Sequence, residues 1–142
     1  MKNIILGLCL ILAIGTMGFA QCGQKLVLKS SKTAYLDSTG TVQKNVDEQS
    51  TIELSPTTLS IAPGNDPVMT GAVQSENCNW TIPFEEGKSI YKVLLNPPGG
   101  GDPMNLTITL EGKDGKITFL AVMEQMPDRR IMLLVDKFEE KK

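Results

Sequence analysis

At 142 residues with a formal net charge of −2, the chain has the size of one domain and lacks the excess of positive charge that marks a nucleic-acid binder. It contains no histidine. That removes the commonest general base, the commonest metal ligand and every Ser-His or Cys-His nucleophile pair.

The N-terminus reads as a cleavable signal peptide over residues 1–20. Lys2 precedes an apolar run from Ile4 to Ile14, and the small residues Gly18 and Ala20 stand third and first before a cut ahead of Gln21. The run is shorter than the roughly 20 apolar residues that span a bilayer as a helix. Lipoprotein processing at Cys22 is the rival reading, but Gln21 is not the small residue that such processing takes before its cysteine. The expected product is residues 21–142, a single exported domain, periplasmic or extracellular, with no transmembrane span. Losing Lys2 makes it slightly more acidic, and no basic stripe is visible along it, so no nucleic-acid partner is expected.

Cys9 leaves with the signal, and Cys22 and Cys78 remain. In an oxidising compartment an even pair forms a disulfide. Closing a loop of this length is worth about 4 kcal/mol in the chain-entropy picture. The spacing is nothing like the Cys-x-x-Cys of a redox catalyst.

Turn residues then recur about every ten positions: 37–40, Ser55-Pro56, 63–67, Glu85-Glu86-Gly87, 96–103, Asp114-Gly115 and Pro127-Asp128. Between them lie nine short runs rich in β-branched and apolar residues: 25–28, 33–36, 51–54, 58–61, 68–73, 90–95, 106–110, 117–123 and 131–135. None keeps a helical period. Short strands at even spacing predict an all-β fold, one antiparallel domain of about eight or nine strands, as an up-and-down barrel or a sandwich.

The last three strands can be read in register. Asp114-Gly115 is a favoured two-residue hairpin turn, which sets Leu110 opposite Phe119, Ile108 opposite Ala121 and Leu106 opposite Met123. A second turn on Met126-Pro127-Asp128 would set Met123 opposite Ile131, Ala121 opposite Leu133 and Phe119 opposite Val135. One face then gathers Leu106, Ile108, Leu110, Phe119, Ala121, Ile131, Leu133 and Val135, as core or as the lining of a ligand cavity. The other gathers Leu120, Val122, Met132 and Leu134. A strand buried on one side only should alternate apolar with polar residues. This second face therefore asks for cover, from the same chain, a ligand or a partner.

Smaller signals read as structure. Trp80, beside Cys78, reads as an aromatic packed on a disulfide, and the glycines of 96–103 lack the Gly-Lys-Ser/Thr of a phosphate loop. Asn79-Trp80-Thr81 and Asn105-Leu106-Thr107 match the N-glycosylation sequon. Asp37-Ser38-Thr39 resembles the short O-glycosylation triplet of some bacterial exported proteins, and is also ordinary turn chemistry ahead of Gly40. The adjacent carboxylates Asp47-Glu48 and Glu85-Glu86 are not placed as a separated acid and base. No catalytic residue, metal site or cofactor is expected.

In strand count and exported context the chain resembles lipocalin-type barrels, in architecture only. Its first strand, Gln24 to Ser30, lacks the tryptophan such barrels carry there. Two functions are compatible with this reading. One is a non-enzymatic binding or structural module of the cell envelope or secreted space, with a protein partner or a second copy on its outer face. The other is a lipocalin-like carrier or sensor of a small apolar ligand held inside.

Overall fold

The computed structural model describes residues 22–64, 67–97 and 99–141. Residues 1–20, where a signal peptide is expected, lie outside these. The described residues form eight strands and no helix: β1 (Leu26–Leu36), β2 (Val42–Leu54), β3 (Thr58–Pro63), β4 (Met69–Ile82), β5 (Glu86–Asn96), β6 (Met104–Lys113), β7 (Lys116–Met123) and β8 (Met126–Glu140). Each pairs antiparallel with the next and β8 closes on β1, an up-and-down barrel. Closure gives every strand two neighbours, but short β3 pairs only with Ser50–Leu54 of β2 and Met69–Ala72 of β4, so the rest of those two strands is paired on one side only.

Alternation drives this arrangement. In β5, Ser89, Tyr91, Val93 and Leu95 are buried while Lys88, Lys92 and Asn96 face water, the period of two that gives a strand one dry face. β6 and β7 repeat it. The inward side chains meet across the barrel as one core, with Leu28, Ile108 and Leu110 wholly inaccessible.

Several expectations are corrected. The runs at 25–28 and 33–36 belong to one strand, β1. It stays continuous because the Ser30 hydroxyl lies 2.7 Å from Leu134 O and 2.8 Å from Lys32 O and accepts from Lys32 N–H (3.2 Å), so the polar Ser30-Ser31-Lys32 segment becomes a bulge rather than a turn. β2, β4 and β8 run far past the apolar stretches read from the sequence, through mostly polar residues paired in the ladders. The turn expected at Glu85-Glu86-Gly87 falls at 83–85.

The β6–β7 register is the expected one, with Leu110 opposite Phe119, Ile108 opposite Ala121 and Leu106 opposite Met123. The β7–β8 register is not. Glu124-Gln125 makes the turn, and Ala121 faces Ile131, Phe119 faces Leu133 and Ile117 faces Val135. Val122 faces Arg130 while Met123 faces Met126, so Pro127, Asp128 and Arg129 have no partner on β7. Proline lacks the N–H a ladder needs and is accommodated at such an irregularity. The displacement is two residues, so every side chain keeps its expected face.

Direction along the strands sorts the loops. Residues 22–25, 55–57, 83–85 and 114–115 lie at one end of the barrel, and 37–41, 64, 67–68, 97, 99–103 and 124–125 at the other. At the first end, Cys22 is joined to Cys78 on β4, with Cα atoms 5.8 Å apart. Gly23 N–H donates to Glu76 Oε1 at 3.2 Å, so the segment ahead of β1 is tied to β4. Phe138 meets Trp80 and Phe84 at 5.9 and 4.7 Å between ring centroids, completing this end.

Candidate functional site

Three places could carry function: the interior, the outer wall, and the loops of the end opposite the disulfide.

The interior is filled with side chains. Of the face read from the sequence, Leu106, Ile108, Leu110, Phe119, Ala121 and Leu133 are buried, and Ile131 and Val135 are partly buried against the same core. Sequence reasoning missed the residues that fill the barrel from its other half, among them Leu28, Ile52, Leu54, Leu59 and Val93. The alternation of β5 was the signal that would have found Val93. Ile108, Phe119, Leu28 and Tyr91 are each no more than 1% exposed, which leaves no room for a water-sized probe beside them. A ligand cavity of the usual size, about 300–1,000 Å³, would leave its lining accessible.

Trp80, Ser89 and Cys78 form a short hydrogen-bonded chain in the interior. Trp80 Nε1–H donates to Ser89 Oγ (2.7 Å), and Ser89 Oγ–H donates to Cys78 Sγ (3.3 Å). Burial holds the Tyr91 phenol well above its ordinary 10.0, and the nearby Glu76 carboxylate pushes it the same way. Trp80 also explains two glycines. A Cβ at Gly87 would fall 2.4 Å from Trp80 Cα and one at Gly112 would fall 2.6 Å from its ring, so this cross-strand pair has to be bare for the indole to lie over it.

The outer wall is mostly polar. Outward positions carry Lys29, Asn77, Asn79, Lys88, Lys92, Glu111 and Lys113, the reverse of the apolar band by which a transmembrane barrel meets lipid. Among the described residues, no helix is long and apolar enough to cross a membrane. A furrow of about 510 Å³ indents this wall, with the backbone of Gly87 and Gly112 in its lining beside Asn77, Asn79, Lys88 and Glu111. Lys88 and Glu111 are ion-paired at 3.4 Å there.

The second apolar face read from the sequence lies on this wall. Leu120 faces Met132, Val122 faces Arg130, and Leu134 sits between Thr118 and Lys32. Among the described residues every element is a barrel strand, so no other element covers the face. Leu120, Val122 and Met132 are nonetheless half-buried by their neighbours, and only Leu134, at 45%, is exposed.

At the far end, the loop between β1 and β2 is organised by one carboxylate. Asp37 Oδ1 accepts from Thr39 N–H (2.9 Å), Thr39 Oγ1–H (2.6 Å) and Thr41 N–H (2.9 Å), and Oδ2 accepts from Gln43 Nε2 (3.1 Å). The backbone closes the loop through Asp37 N–H to Thr41 O and Gly40 N–H to Asp37 O. The Thr39 hydroxyl, and after it the Thr41 amide, hold the Asp37 carboxyl below its ordinary range.

No family model, curated protein or solved structure matches this chain, so its chemistry is read from its own geometry.

Proposed function

We propose that this chain is an exported, non-enzymatic binding or structural module of the cell envelope or secreted space: a rigid barrel whose interior is core and whose outer surface does the work. The observation that carries the reading is the packed interior. A carrier needs an accessible cavity, whereas the inward face of β5, β6 and β7 is closed by Tyr91, Ile108 and Phe119. The Cys22–Cys78 disulfide is compatible with an oxidising compartment. Short β3 covers only Ser50–Leu54 of β2 and Met69–Ala72 of β4, so binding is left to the outer faces, the loops and the strand edges beyond that cover.

Mass spectrometry of the protein recovered from the cell that natively exports it tests both parts of this reading. A chain beginning at Gln21, about 2 Da below its reduced form for the two hydrogens lost, with no apolar molecule retained, is the expected result. A small apolar ligand held at one per chain overturns the module in favour of the carrier. A diacylglycerol on Cys22 replaces the disulfide with a membrane anchor.

A further inference from the structure

The turn at residues 37–41 accounts for all of its residues except one. Asp37 supplies the acceptor for the loop, Thr39 is held to it through both its amide and its hydroxyl, and the Thr41 hydroxyl lies 3.0 Å from that of Thr39. Gly40 takes a backbone φ of 86°, which other residues rarely adopt. Ser38 contributes neither a hydrogen bond nor a special conformation. Its side chain is exposed in the loop, where its neighbours are immobilised around it.

From this we infer that Ser38 is the acceptor of an O-linked glycan added during or after export. Two independent observations meet at this residue: the triplet Asp37-Ser38-Thr39 resembles a known acceptor sequence, and the structure spends both flanking side chains on the loop while leaving the central hydroxyl free. Turn chemistry alone explains Asp37, Thr39 and Gly40; it gives no reason for a hydroxyl at 38. The two N-glycosylation sequons are placed differently. Asn79 and Asn105 lie within β4 and β6, with their backbones paired to Lys88 and Leu94, where a transferase cannot draw the chain into its active site without opening the sheet. The turn at 37–41 projects from an end of the barrel and needs no opening.

The transfer balances with an activated sugar phosphate as donor, carried on a lipid or a nucleotide and held by a separate transferase. Ser38 Oγ attacks the anomeric carbon. The new C–O bond forms as the bond from that carbon to the phosphate oxygen breaks, the phosphate leaves with the electron pair, and the hydroxyl proton passes to a base of the transferase. A bulky hydrophilic group at this position covers the end of the barrel that carries the 37–41 turn. The inference requires export, and it does not depend on whether the barrel is a module or a carrier.

The test compares intact masses of the full chain recovered from its native exporting cell and of the same chain made in a cytoplasm without glycosylation machinery. The native protein is expected to be heavier by whole sugar residues, and S38A to return it to the polypeptide mass. S38T retains a hydroxyl at the same place and is expected to keep the added mass. S38A removes no hydrogen bond, so its melting curve is expected to match that of the unmodified protein. A native protein at the bare polypeptide mass overturns the inference, and so does an added mass that survives S38A, which would place the sugar on another residue such as Asn79 or Asn105.

Discussion

Ser30 and Tyr91 show how single polar groups are kept inside an otherwise apolar barrel. The Ser30 hydroxyl stands in for a missing ladder bond, and its one proton is shared between Lys32 O and Leu134 O while it accepts from Lys32 N–H. Ser30→Ala leaves those backbone groups without a partner in a site where water is excluded. The expected loss is about 1–3 kcal/mol, read as a lower urea midpoint with unchanged slope. Tyr91 is held neutral by burial and by Glu76, so its proton is retained in the fold at a pH where the unfolded chain has released it. A group whose folded value is raised contributes stability that is complete below its unfolded value and is lost as pH rises above it. The melting temperature is therefore expected to fall as pH climbs past 10.0, and to fall less steeply in Tyr91→Phe. Equal slopes in the two proteins would remove Tyr91 as the cause.

At the level of elements, the β6–β7 hairpin is the part whose geometry follows most directly from local chemistry. Asp114 and Gly115 adopt φ of 54° and 79°, the paired left-handed conformation that a two-residue hairpin turn demands, and that turn sets the whole register. Neighbours along β7 then divide strictly between the two faces. Phe119→Asp places an unpaired carboxylate in the core at a cost of several kcal/mol, comparable with the roughly 5–15 kcal/mol that hold a domain together, and is expected to abolish the cooperative melt. Leu120→Asp, one position along, keeps its carboxylate on the outer wall and is expected to leave the protein folded. Circular dichroism of the pair distinguishes the faces directly. A folded Phe119→Asp beside an unfolded Leu120→Asp would mean that the strand is turned over by one residue.

For the molecule as a whole, closure decides what the second apolar face can do. A sandwich would place another sheet over Leu120, Val122, Met132 and Leu134; a barrel turns the same residues outward, and their neighbours half-bury all but Leu134. Leu134→Lys is therefore expected to change stability by no more than about 0.5 kcal/mol, the usual range for a surface substitution, because the ammonium reaches water. Thermal denaturation followed at the single tryptophan, Trp80, reads this. A loss of several kcal/mol would show that the face is covered. The same experiment run with sedimentation velocity reports whether the outer wall joins two copies, since a contact centred on Leu134 would break without unfolding either one.

Composition and local pattern by themselves settled the absence of histidine chemistry, the all-β class, the β6–β7 pairing and the residues that share the inward face of β6, β7 and β8. Each depends on a period of two, a two-residue turn or a missing functional group, which are local properties. Cys22 and Cys78 could be matched because they are an even pair. The rest was set by closure. That β1 meets β8, that polar stretches such as 42–50 and 74–82 extend strands, and that Pro127 marks a bulge rather than a turn follow from backbone groups needing partners across the barrel, which no single segment specifies. The packed interior belongs to the same class of fact. Leu28, Ile52, Tyr91 and Ile108 fill the barrel jointly from four strands, and only their meeting in space separates core from cavity.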